Sequence, residues 1–149
     1  MHIPGTIDSL LNHKAPAVWS VAPDATVFDA IKLMSEKNIG ALPVMEGDKL
    51  VGMFSERDYT RKVALKGKSS KSTAVRDIIS RPVISVEAGH TVEECMRLMT
   101  EHRIRHLPVL EGGRVAGIVS IGDLVNWIIS TQSIVLEQME HYISGKYPG

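Results

Sequence analysis

Two stretches of the sequence carry the same polar pattern behind the same apolar approach. They are Gly52-Met53-Phe54-Ser55-Glu56-Arg57-Asp58 and Gly117-Ile118-Val119-Ser120-Ile121-Gly122-Asp123. A glycine that ends or interrupts a strand lets a ligand come close to the backbone. Ser, then Asp three residues on, fall on the first turn of a helix. An ionised Asp offers two acceptor oxygens, which suit the vicinal hydroxyls of a ribose, and Ser adds a bond to sugar or phosphate. The free N–H groups of such a turn favour nearby negative charge. Ser-x-x-Asp is equally a helix cap worth about 1 kcal/mol that needs no ligand. The two roles are compatible if Ser caps while Asp reaches outward.

The two copies differ in their surroundings. Arg57 and Arg61 are four residues apart and share a helix face, placed to meet a phosphate or to form a solvated basic face. Gly122 and Asn126 stand at the matching positions of the second copy, while Arg105 and His106 replace Gly40 and Ala41. Other patterns fall away. Gly67-Lys68-Ser69 lacks the earlier glycine and the buried strand of a phosphate loop. His102 and His106 have metal-pair spacing, but Leu107-Pro108 ends the helix and Arg103 stands where a zinc-protease motif has Glu, so no metal is expected. Cys95 falls on the core face of its helix, and Met34, Met96 and Met99 read as core.

These motifs sit inside a duplication. Val18-Trp19-Ser20-Val21 matches Val83-Ile84-Ser85-Val86, and Ile39 to Val44 matches Ile104 to Val109. All pairs share one offset of about 65 residues, with roughly 17 identities over about 40 positions. Each copy predicts a β-α-β-β-α unit. Val18 to Val21 forms a strand, Thr26 caps a helix with Val27, Ala30, Ile31 and Met34 on one face, and Glu46 to Lys49 joins two short strands. A second helix runs from near Ser55 to about Leu65. In the second copy the strands fall near Val83 to Val86, His106 to Leu110 and Val115 to Val119. The organisation is a lead-in over 1–17, a first unit over 18–65, a polar linker with its own lead-in helix over 66–82, a second unit over 83–130, and a helical extension over 131–149. The helix from Ile121 to about Ile143 that forms it has an apolar side of Leu124, Val125, Ile128, Val135, Met139 and Tyr142 and ends near Gly145 and Pro148. It covers either its own domain or a second subunit.

Composition bounds the function. The 149 residues carry 17 Lys+Arg against 17 Asp+Glu, so the formal net charge is zero. That balance, with 5% aromatic residues, disfavours nucleic acid as a partner. No apolar run approaches the ~20 residues of a membrane span, and Met1 to Gly5 lacks a signal-peptide layout. A cytoplasmic protein is expected. No nucleophile–base pair, metal set or paired carboxylates point to an enzyme.

The paired units, the h-x-x-Leu-Pro-Val strand starts and the two Gly-h-h-Ser-x-x-Asp segments together resemble the CBS domain pair, over about residues 4 to 130. The resemblance implies an α/β (α+β) fold of two β-α-β-β-α units related by a pseudo-twofold axis, with two clefts between them. It implies a regulatory sensor, not a catalyst, for adenosine-containing ligands: AMP, ADP, ATP, NAD(H) or S-adenosylmethionine. It also implies a homodimer and an unidentified partner that receives the signal. The adenine slot would be built from Val18, Trp19, Ser20, Leu42 and Pro43 in one cleft. Val83, Ile84, Ser85, Leu107 and Pro108 would form the other. Trp19 stacks on a base or packs as an ordinary aromatic. Arg105 and His106 would face ligand phosphates, and Ser55, Arg57, Asp58 and Arg61 would form a stronger anion site than Ser120 and Asp123. The alternative is a ligand-independent scaffold that regulates a partner enzyme.

Overall fold

The structure, a computed structural model, describes residues 3–14, 18–79 and 83–143. Helix α1 (Ile7–His13) comes first, with the Thr6 hydroxyl accepting the Ser9 N–H at 3.3 Å. Helix α2 (Val27–Lys37) leads into the antiparallel hairpin β1 (Ala41–Glu46) and β2 (Lys49–Ser55). A single α-turn, α3 (Glu56–Asp58), continues as a π-helix over Tyr59–Ala64, and a 3₁₀ turn follows at Val75–Asp77. The second copy repeats the order with β3 (Val86–Glu87), α4 (Val92–His102), β4 (His106–Glu111), β5 (Arg114–Ser120) and α5 (Ile121–Ile143). Its three strands pair in the order β3-β4-β5. The result is the mixed α and β class that the periodicities predict.

Local chemistry explains the element ends. Thr26 Oγ1 accepts the Asp29 N–H at 3.1 Å, and Thr91 Oγ1 accepts the Glu94 N–H at 3.0 Å, so both long helices start where the sequence puts a cap. Leu42 lies opposite Phe54 and Ala41 opposite Ser55, with a bulge between Val44 and Met45. Gly112 and Gly113, at φ 59° and 79°, supply the two left-handed positions of a type I′ turn between β4 and β5. Inward residues of α2 and the first hairpin (Val27, Ala30, Met34, Leu42, Val44 and Phe54) form one buried cluster with Val63, Val75 and Ile78.

Three features depart from expectation. Only Val21 of the predicted Val18–Val21 strand pairs, as a parallel bridge to Val44, because the Ala22–Ala25 turn follows at once and residues 18–20 are exposed. Likewise residues 83–85 are irregular, and strand geometry begins at Val86. The helix after Ser55 is mostly π-wound, with Leu65 N–H bonded to Thr60 O at 3.0 Å. The polar run 66–73 is tied to the start of α2, where Phe28 N–H meets Ser70 O and Val27 N–H meets Thr73 O, at 3.0 and 2.9 Å.

The lead-in segments are exchanged between copies. Ile7 and Asp8 donate to His90 O and Ala88 O, at 2.8 and 2.9 Å, so α1 docks on the second copy. Val75 donates to Ala25 O at 2.9 Å, so the second lead-in docks back on the first copy. The chain accordingly divides into two compact units. One holds α1, β3, α4 and α5; the other holds α2, β1, β2, α3, the π-helix and the 3₁₀ turn, together with the 108–117 tip of the β4–β5 hairpin. On α5, Leu124 is buried, whereas Val125, Ile129 and Met139 are exposed. The side chains of Val135 and Tyr142, and residues Gly145 and Pro148, lie outside the described residues.

The docked lead-in explains Gly52. A Cβ there would stand 2.5 Å from Ile79 Cδ1 and 3.1 Å from Ile79 Cβ and Cγ1. Gly52→Ala is expected to lower stability by about 1–3 kcal/mol in urea unfolding, through overpacking. Ile79→Val in the same chain, which removes Cδ1, should recover part of the loss.

Candidate functional site

Each hairpin ends by turning directly into a helix, and the Ser-x-x-Asp pair sits at that turn. The junction is held against the start of the partner strand by one backbone bond in each copy. Glu56 N–H donates to Gly40 O at 3.1 Å, and Ile121 N–H donates to Arg105 O at 2.8 Å. The structure therefore brings Gly40, Ala41, Ser55 and Asp58 together in one unit, and Arg105, His106, Ser120 and Asp123 together in the other.

At the first junction the pair forms a full capping box. Ser55 Oγ accepts the Asp58 N–H at 3.2 Å, while Asp58 Oδ2 accepts from the Ser55 N–H and hydroxyl, both at 3.0 Å. Asp58 Oδ1 faces the Lys62 ammonium at 3.2 Å, and Lys62 also reaches Ile78 O at 3.2 Å. Asp58 is therefore buried at 8% exposure, and the expectation that it reaches outward while Ser caps does not hold. Satisfying the orphan N–H groups draws the carboxylate in. Arg57 and Arg61 lie on the exposed side of the same segment.

The second junction has the same box but a different cation. Ser120 Oγ accepts the Asp123 N–H at 3.1 Å, and Asp123 Oδ2 accepts the Ser120 N–H at 2.8 Å. The Lys14 ammonium, from just beyond α1, meets the same Oδ2 at 2.6 Å and also donates to Ile118 O at 2.7 Å. Burial opposes ionisation of Asp123, but the bonds from Lys14 and Ser120 outweigh it and hold its carboxyl below the usual range. His106 is half-buried beside this group. Burial lowers its pKa, Asp123 opposes the shift, and Lys14 and Arg105 reinforce it. Sequence reasoning missed both lysines. Lys62 carries a readable signal, four residues after Asp58, whereas Lys14 lies far from Asp123 in the chain.

The remaining predicted residues divide. Leu42 is wholly buried in the core cluster, and Pro43 offers its carbonyl to Val21 N–H at 3.2 Å. Val18, Trp19 and Ser20 are exposed, and Lys37 lies 4.0 Å from the Trp19 ring centre, giving that ring a cationic partner of its own. Ile84 and Ser85 are half-buried, Leu107 and Pro108 are buried, and Arg105 is exposed. Cys95 is buried, and burial, with Glu94 beside it, pushes its thiol up to about 11, so it stays protonated. His102 closes α4 and His106 opens β4, separated by a left-handed Arg103 at φ 54°. Among the described residues no group of three metal-ligating side chains occurs. A cavity of about 880 Å³ opens at the far end of the first hairpin, beside Pro23, Asp24, Glu46, Lys49 and Arg76; Val83 of the predicted second slot lines it, and neither Ser-x-x-Asp pair does.

Two copies of a capped hairpin-to-helix junction, each behind an h-x-x-Leu-Pro-Val strand, define a pair of CBS domains. The chain belongs to that family, whose model matches residues 13–65 and 75–130. It is 42% identical over 135 residues to the mitochondrial CBS domain-containing protein CBSX3 of Arabidopsis thaliana, covering 87% of this chain and 65% of that protein. It is 34% identical over 116 residues to the Bacillus subtilis CBS domain-containing protein YhcV, covering 78% and 82%. A solved structure of a CBS-domain protein from Burkholderia ambifaria is 49% identical with a TM-score of 0.83, over 86% of this chain and 96% of that one. The CBS pair of MJ0100, solved with 5′-methylthioadenosine and S-adenosyl-L-methionine, shares the fold at 21% identity and a TM-score of 0.71, over 85% and 98%.

His106 gives the pH prediction for this site. Its folded pKa is lowered, so on acidification the unfolded chain takes up this proton first and stability falls as pH drops below about 6.5. His106→Asn should lose less stability than the parent between about pH 7 and 5 in denaturant titrations. An unchanged slope in the variant contradicts the assignment.

Proposed function

We propose that the chain is a regulatory module that binds adenosine-containing ligands, AMP, ADP, ATP or NAD(H), at its Ser-x-x-Asp junctions. It reports occupancy by a change in shape or in contacts with a partner protein. The observation that carries this reading is the duplicated carboxylate at a helix start, each neutralised by a lysine ammonium. A ribose hydroxyl can take the place of an ammonium on a carboxylate oxygen, keeping the hydrogen bond without the second charge. At the first junction the displaced group is Lys62, held at 3.2 Å to Asp58 within one helix and at 3.2 Å to Ile78 O, so its displacement moves one side chain. Exposed Arg57 and Arg61 stand beside it for phosphate, which makes Ser55/Asp58 the stronger anion site.

The chain matches the inosine-5′-monophosphate dehydrogenase of Methanocaldococcus jannaschii over only 21% of that enzyme's length, so its activity does not carry across. A homodimer in the cytoplasm is part of the proposal. None of the described helices is long and apolar enough to cross a membrane. Solved neighbours include a hexameric CBS-CP12 protein from cyanobacteria, 33% identical with a TM-score of 0.72 over 81% of this chain and 70% of that one, so assembly needs its own measurement. A second reading, a ligand-independent scaffold, draws on the exposed Val125, Ile129 and Met139 of α5.

Thermal unfolding against AMP, ADP, ATP, NAD, NADH and S-adenosylmethionine separates the two readings. A ligand at ~100 times its Kd adds about 2.7 kcal/mol, which raises the midpoint by roughly 5–10 °C at this chain length. The proposal expects a shift with at least one of them, reduced in Asp58→Ala and in Arg57→Ala, while both variants still unfold cooperatively. No shift with any ligand, in protein shown free of carried-over nucleotide, favours the scaffold.

A further inference from the structure

The Lys14 contact is more than charge neutralisation. It joins the lead-in to the second junction, in the place where the ligand reading puts a ribose. Lys14 caps the C-terminal end of α1, its own N–H bonded to Leu10 O at 3.1 Å. Its ammonium makes two short bonds, 2.6 Å to Asp123 Oδ2 and 2.7 Å to Ile118 O. The other end of the lead-in is fastened one helical turn further along α5. Trp127 Nε1 donates to Pro4 O at 2.8 Å, and the indole lies so close to Gly5 that a Cβ there would stand 2.6 Å away. Asp123 and Trp127, four apart on α5, therefore hold both ends of α1. In the first copy the position of Trp127 is Lys62, which supplies the ammonium to Asp58 from the same helix.

We infer that Lys14 is a built-in occupant of the Ser120/Asp123 site, and that an adenosine ligand enters there only by displacing it and loosening the C-terminal end of α1. The inference rests on the reading that the motif carboxylates receive ribose hydroxyls. With Oδ2 already accepting from both Ser120 and Lys14, Asp123 cannot offer both oxygens to a vicinal diol. Displacing Lys62 moves one side chain, whereas displacing Lys14 releases a segment. The second site is thus the one coupled to the lead-in, and by linkage whatever holds α1 down weakens ligand binding there.

Isothermal titration of the full chain with AMP tests this directly. Lys14→Met keeps the apolar stem and removes the ammonium. It is expected to tighten binding at one site by about tenfold, a gain that disappears when Asp123→Asn is added. Loss of a positive charge by itself would weaken binding of an anion, so the sign of the effect separates a plug from a phosphate anchor. In the parent protein, saturating AMP should also speed amide exchange at Lys14. Unchanged or weaker binding in Lys14→Met, with AMP still binding the parent, overturns the plug alone. No binding of AMP, nor of ADP, ATP or NAD(H) titrated in its place, to parent or variant overturns the adenosine reading, and the plug with it.

Discussion

A strand that turns straight into a helix leaves N–H groups without partners at the turn, and both copies solve this with the same side-chain pair. Ser accepts the Asp N–H and Asp accepts the Ser N–H, at distances between 2.8 and 3.2 Å across the two copies. The box fixes where β2 and β5 end, and with them the register of hairpins whose inward residues, Leu42 and Phe54 or Leu107 and Val119, fill the core. The same bonds draw a carboxylate into a half-buried turn, where it needs a cation. The cap and the site are one structure.

The source of that cation makes the copies unequal. Lys62 answers Asp58 within one helix, so the first junction is closed locally. Asp123 is answered by Lys14, and residue 127, freed from that role, is a tryptophan that clamps Pro4 and Gly5. One substitution between the copies thus accompanies a change from a local pair to a tie between distant segments. On the proposed reading, ligand chemistry at the second junction is thereby linked to the position of α1, the kind of differential contact a regulatory module requires.

Much of this was legible in the sequence because it is local. The Thr26 and Thr91 caps and the Ser-x-x-Asp spacing depend on residues within a turn of one another, and the duplication shows as a constant offset in the sequence itself. The exchange of lead-ins was not legible: Ile7 and Val75 both look like preludes to the unit that follows, and only tertiary hydrogen bonds reveal where each docks. The π-winding of Tyr59–Ala64 leaves no mark in apolar spacing over six residues. Trp19 reads as a stacking platform or as a packed or interface aromatic, and its ring is exposed with the Lys37 ammonium over its face. Lys14 was invisible for the same reason as the exchange, since nothing in its neighbourhood names Asp123.

On the proposed reading a nucleotide acts on this protein at the two capped junctions and not at the cavity beside Pro23 and Arg76. Amide resonances followed by two-dimensional NMR during an AMP titration test it most directly. Shifts are expected at Ser55 and Asp58 first, and at Ser120, Asp123 and Lys14 only at higher concentration. Shifts confined to Asp24, Glu46, Lys49 and Arg76, with both junctions silent, would contradict it.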